Sequence, residues 1–216
     1  MPVGASYRTG GSRGSAAAAV RLMAGTGVQP PYRTTSFNDA VFGQSGDGLA
    51  IEGAGADLWG DTNEFGTIHR AAAFGAASVA TVQVTSQDST GGWARAGLMA
   101  RNDLSANGDG GGTAGYVNLA VTPSNGCALS WDSDGNGKFD SIELAGSLTA
   151  PVHLRLTRSG NVYTGECSSD GVSWTTVGTA NPGGVADVQD IGVFMTAANG
   201  WTGTRGIAAF QGFSVT

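Results

Sequence analysis

Apolar and polar residues alternate with period two through Val79-Ala-Thr-Val-Gln-Val84 and Val152-His-Leu-Arg-Leu156. That period puts successive side chains on opposite faces of an extended strand. From Phe37 onward other strand-sized segments recur between turns: 49–51, 56–59, 66–69, 94–100, 116–122, 127–131, 142–144, 162–168, 175–178, 191–196 and 206–215. Many short strands at such spacing predict an all-β, antiparallel jelly-roll β-sandwich over residues 37–216. Residues 1–36 read as an N-terminal Gly/Ala/Arg-rich extension and linker. In it, Ser15 is a candidate N-cap for a short helix over 16–24 stopped by Gly25, and Gln29-Pro-Pro-Tyr32 is extended.

Composition adds one feature and removes several functions. The sequence holds 37 Gly but only 6 Pro, which suits frequent turns in a folded chain. Its net charge of −6 argues against a general nucleic-acid binder, because neutralising phosphates takes clustered Lys and Arg. Arg8, Arg13, Arg21 and Arg33 lie in residues 1–38, which contain no acid, so a mildly basic extension precedes an acidic body. No apolar stretch is long enough for a membrane span, and the run Ala16–Val20 is too short for a secretory signal. Two readings follow: a protein made without a signal, or an excised module of a larger protein working outside the cell or on its surface; the low Lys content and the calcium loop described next lean to the second.

The most specific signal is Asp132-Ser-Asp-Gly-Asn-Gly-Lys-Phe-Asp-Ser-Ile-Glu143, which fits the calcium-loop pattern D-x-[DN]-x-[DN]-G-x₅-E at each specified position. Asp132, Asp134, Asn136, Asp140 and the backbone carbonyl of Lys138 supply oxygen donors, and Glu143 stands where a bidentate carboxylate closes the cage. Hard Ca²⁺ needs six to eight such oxygens, which no single side chain provides. The flanks 127–131 and 142–144 are short and β-like, and Gly146 and Pro151 leave no room for an exit helix. The expectation is therefore a calcium loop on a β-hairpin that stiffens a surface rather than relays a signal. Cys127 and Cys167 lie on predicted strands; their even count allows one disulfide, with two buried thiols as the alternative.

Several ordered motifs carry a family resemblance. Gly55-Ala-Asp-Leu-Trp-Gly60 with Glu64-Phe65, Trp93-Ala-Arg-Ala-Gly-Leu-Met-Ala-Arg101, Leu154-Arg-Leu-Thr-Arg-Ser-Gly160 and Ser169-Asp-Gly-Val-Ser-Trp174 resemble successive strands of the concanavalin A-like lectin/glucanase superfamily. They are similar in particular to accessory β-sandwich modules of bacterial secreted glycoside hydrolases and surface proteins. The resemblance covers about residues 36–216 and implies a concanavalin A-like sandwich. The last motif also resembles an Asp-box turn, a structural feature.

The glucanase branch of that superfamily hydrolyses glycosides with an E-x-D-x-x-E strand, which puts two carboxylates about 5 Å apart. No Glu in this sequence begins that pattern, and His69 and His153 stand alone in alternating strands. Binding is left. Sugars stack their C–H faces on aromatic rings and offer hydroxyls to carboxylates and amides. Trp201 in the Gly-rich 199–203 loop is the expected platform, assisted by Asn199, with Trp131 beside the calcium loop; Trp59, Trp93 and Trp174 are assigned to the core. The function expected is a non-catalytic, calcium-stabilised carbohydrate-binding module with a polysaccharide or cell-surface glycan as partner. The alternative is a structural or adhesive subunit of an extracellular filament, virion or surface assembly that self-associates through residues 1–36.

Overall fold

The computed structural model describes residues 25–108, 110–200 and 202–216. The expected helix over 16–24 lies outside them. Among the described residues sixteen strands follow one another: β1 (Arg33–Ser36), β2 (Val41–Ser45), β3 (Gly48–Gly53), β4 (Leu58–Trp59), β5 (Thr62–Asn63), β6 (Gly66–Gly75), β7 (Val79–Gln87), β8 (Arg95–Arg101), β9 (Val117–Thr122), β10 (Gly126–Trp131), β11 (Ser141–Ala145), β12 (Val152–Ser159), β13 (Val162–Ser168), β14 (Thr175–Ala180), β15 (Val188–Thr196) and β16 (Gly206–Val215). Two antiparallel sheets form the sandwich, ordered β1-β6-β15-β8-β9-β10-β11 and β14-β13-β12-β7-β16-β3-β2, with β4-β5 as a separate hairpin.

Period-two alternation decides what each face buries. Leu98, Leu119, Leu129 and Val193 of the first sheet meet Val82, Leu154, Leu156 and Phe210 of the second in one core. The residues between them in sequence, Met99, Ala120 and Phe194, point the other way. There they join Leu58, Phe65, Leu104, Tyr116 and Phe139 in a second apolar cluster on the first sheet's outer face. This cluster seats the β4-β5 hairpin and the loop after β10 against the sheet. Tyr116 and Phe139 stack at 3.9 Å between ring centroids.

Three expectations change here. The sandwich begins before residue 37: Arg33–Ser36 pair with Gly66–His69 as an edge strand, since their backbone groups complete the β6 ladder although their side chains are mostly exposed. Cys127 and Cys167 are buried free thiols rather than a disulfide. They point into the core from opposite sheets, and a hydrogen bond to Cys167, together with burial, pushes the Cys127 thiol up. Trp131 shares the inward parity of Cys127 and Leu129, so it packs at the edge of the main core rather than standing out as a platform.

Candidate functional site

The loop between β10 and β11 is built around Asp132. Its carboxylate is fully buried and accepts the backbone N–H groups of Gly135, Asn136 and Gly137, at 2.9, 3.2 and 2.6 Å. Gly135 and Gly137 take φ of 82° and 86°, and at Gly137 a Cβ would come within 2.6 Å of Thr113 Oγ1, so only glycine turns the chain there. Asp132, Asp134 and Asp140 each bring a carboxylate oxygen to within 4.8 Å of the others. Asn136 Oδ1 accepts the Lys138 N–H at 2.9 Å, and Asn136 Nδ2 donates to Asp134 at 3.0 Å.

Electrostatically the loop is short of positive charge. Burial, aided by the neighbouring Asp134, raises the Asp132 carboxyl above the ordinary range even though three backbone N–H groups pull it down. Against the upward push of burial, hydrogen bonds from Ser133 and Ser141 hold Asp140 below it. The Lys138 ammonium pairs with Asp61 at 2.8 Å. An all-oxygen donor set with clustered carboxylates suits a hard cation.

Glu143 departs from the expected cage. The chain leaves the loop as a strand, in which Glu143 pairs with Leu129 and lays its carboxylate over Gly178 of β14, at the space a Cβ there would fill. Trp201 lies outside the described residues. Asn199 donates its amide to the Thr204 carbonyl and so closes its own loop. In the Asp-box-like turn, hydrogen bonds from Ser173 and Val172 hold the Asp170 carboxyl down at about 2, which fits the structural role expected of that motif. Trp174 lies under the Arg155 guanidinium at 4.2 Å, and Arg155 in turn pairs with Glu166.

Sequence reasoning missed the two tryptophans beside the loop. Trp59 and Trp93 line a cavity of about 270 Å³ with Asp57, Arg95 and Ile142. Its wall is joined to the acidic loop through the Gly60 N–H, which donates to the Phe139 carbonyl at 3.1 Å, and through the Lys138–Asp61 pair. Nothing in the spacing of Trp59 and Trp93 signals this, because the cavity joins segments far apart in sequence.

His69 is buried, with Nε2 3.7 Å from an Asp190 oxygen. The Asp190 carboxylate also accepts the Ala72 and Leu104 N–H groups. Burial pushes the His69 imidazole down, against the pull of Asp190, and nearby Arg33 and Arg101 push the same way. A lowered folded-state value means that the unfolded chain takes up the proton first. Stability from this residue is therefore full above the ordinary histidine value of about 6.5 and is lost as pH falls through the folded value. Denaturant unfolding in EDTA at pH 7.5 and 5.5 should show a smaller acid loss for His69→Gln than for the unaltered chain; equal losses would remove His69 from the account.

No protein-family model matches the chain, and no curated protein matches it. Solved structures do. A functionally unknown protein from Saccharomyces cerevisiae superposes with a TM-score of 0.62 at 19% identity, covering 86% of this chain and 95% of that one. The GH43 BlXynB protein of Bacillus licheniformis gives 0.58 at 16%, over 87% of this chain but 39% of its own. The Ca²⁺/Man2-bound exoplasmic/lumenal domain of VIP36 gives 0.51 at 12%, over 88% and 86%. The fold is the concanavalin A-like sandwich. At these identities the likeness is one of architecture, and the chain spans well under half of the BlXynB chain it matches.

Proposed function

We propose that this chain is a non-catalytic carbohydrate-binding module, stabilised by calcium and working in an extracellular protein or at a cell surface. The observation that carries the reading is the loop of Asp132, Asp134 and Asp140, whose carboxylate oxygens lie within 4.8 Å of one another on a concanavalin A-like sandwich. These three carboxylates, the Asn136 amide oxygen and the Lys138 carbonyl would hold the ion. Bound there, Ca²⁺ supplies positive charge to a buried carboxylate and ties the loop's turns together. The protein's own part is to fix the turn through Gly135 and Gly137 and to seat it through Phe139. In this reading Glu143 is a strand residue and not a ligand.

A glycan partner is supported by the architecture shared with the exoplasmic/lumenal domain of VIP36, solved in a Ca²⁺/Man-bound form. The non-catalytic reading is supported by the missing E-x-D-x-x-E strand and by the apolar cluster that covers much of the first sheet's outer face. Affinity electrophoresis through gels containing xylan, β-glucan, mannan, arabinan or galactan tests the partner. Retardation by at least one polysaccharide with no release of reducing sugar is expected. Release of reducing sugar would overturn the non-catalytic assignment, and unchanged mobility in all five would overturn the glycan assignment.

A further inference from the structure

The cavity between the β4-β5 hairpin and the start of β8 has the chemistry of a sugar subsite. Trp93 is 38% exposed, a large apolar ring left in contact with water, and Trp59 is half-buried on the facing hairpin. Large exposed aromatics beside a concave, partly apolar wall mark ligand sites more often than core. Polar groups are also in place. Arg95 is 3% exposed and donates to Asp57 Oδ1 at 3.0 Å and to the Leu58 carbonyl at 2.9 Å, while its Nε has no partner among the described residues. The guanidinium lies 5.5 Å from the Trp93 ring centre, which fixes that ring by cation–π attraction. Asp57 keeps 43% of its side chain exposed, so its carboxylate can still accept hydroxyls.

We propose that Trp59, Trp93, Asp57 and Arg95 form the glycan-binding subsite of this chain, and that it takes a neutral pyranose. This rests on the carbohydrate-binding reading above and assigns its location. The two indoles receive the ring's C–H faces, and Asp57 accepts hydrogen bonds from its hydroxyls. Because Asp57 already compensates Arg95, an anionic sugar gains no unpaired positive charge here. At about 270 Å³ the cavity lies just below the range for drug-sized ligand pockets, which suits one or two sugar rings. A second cavity of about 400 Å³, lined by Gln83, His153, Trp174 and Gln211 on the other sheet, offers one indole, and that indole is already covered by Arg155.

The test is tryptophan fluorescence titration of the full chain with xylose, glucose, mannose, galactose and arabinose oligosaccharides. It is run on the unaltered chain and on Trp59→Ala, Trp93→Ala and Trp174→Ala, with each variant's melting temperature recorded. An oligosaccharide bound by the unaltered chain should bind Trp93→Ala and Trp59→Ala at least tenfold more weakly, with Trp174→Ala unaffected. Trp93→Phe, which keeps an aromatic ring, should recover part of the loss and controls for misfolding. Unchanged affinity in both cavity variants, or a loss confined to Trp174→Ala, would overturn the subsite while leaving the carbohydrate reading intact. No binding to the unaltered chain by any of the five would overturn both.

Discussion

Asp134→Ala is expected to abolish the calcium-dependent rise in melting temperature while leaving the value in EDTA nearly unchanged. A ligand that binds only the folded chain stabilises it by mass action, by about 2.7 kcal/mol at a concentration a hundredfold above its Kd. For a domain of this size that is a rise of roughly 5–10 °C. Asp134 faces solvent, accepts from Asn136 and pushes up the buried Asp132 carboxyl, so its loss removes a ligand without removing a support of the fold. Asp132→Ala should behave differently. It forfeits the same calcium increment, and it also melts lower in EDTA, because three backbone N–H groups lose their buried acceptor. Glu143→Ala should keep the increment, since that carboxylate lies over Gly178. Differential scanning fluorimetry on the three variants separates these outcomes. A full calcium increment in Asp134→Ala would remove it as a ligand.

The second large effect lies in the core. Arg158 is 2% exposed and donates to the carbonyls of Gly160, Phe74 and Ala186 at 2.9, 2.7 and 2.6 Å, with its guanidinium 5.7 Å from the Tyr163 ring centre. It thereby fastens the β12-β13 turn, the end of β6 and the segment before β15 to one point. Replacing it by Met keeps much of the volume but strips donors from three carbonyls, of which that of Phe74 is buried and costs about 1–3 kcal/mol when unmet, while those of Gly160 and Ala186 are within reach of water. Arg158→Met should lose about 2 kcal/mol in denaturant unfolding, in calcium and in EDTA alike. A loss below about 1 kcal/mol would show that water or a shifted backbone satisfies those carbonyls.

Much of the fold was legible because alternation is a local property. Val79–Val84 and Val152–Leu156 announced β7 and β12, and the structure places both in the second sheet. The missed strands are those where alternation is weak. Arg33-Thr-Thr-Ser36 is polar throughout because it is an edge, and Val41–Ser45, another edge, breaks its pattern at Gly43. The acidic loop was legible for the same local reason, as donors at fixed spacing. Glu143 was misread because the spacing rule assumes a helical exit, whereas a strand exit turns every second side chain away from the loop. Trp131 could have been placed correctly, since Cys127 and Leu129 already set its parity. Trp59 and Trp93 could not, because only the fold brings the hairpin beside the start of β8.

Calcium stabilisation joined to glycan binding is the central claim, and it is tested most directly by melting the unaltered chain three times: in EDTA, in millimolar Ca²⁺, and in Ca²⁺ with a soluble oligosaccharide that it retains. Two successive rises in melting temperature are predicted, the first lost in Asp134→Ala and the second in Trp93→Ala. A single melting temperature across all three conditions would contradict the account.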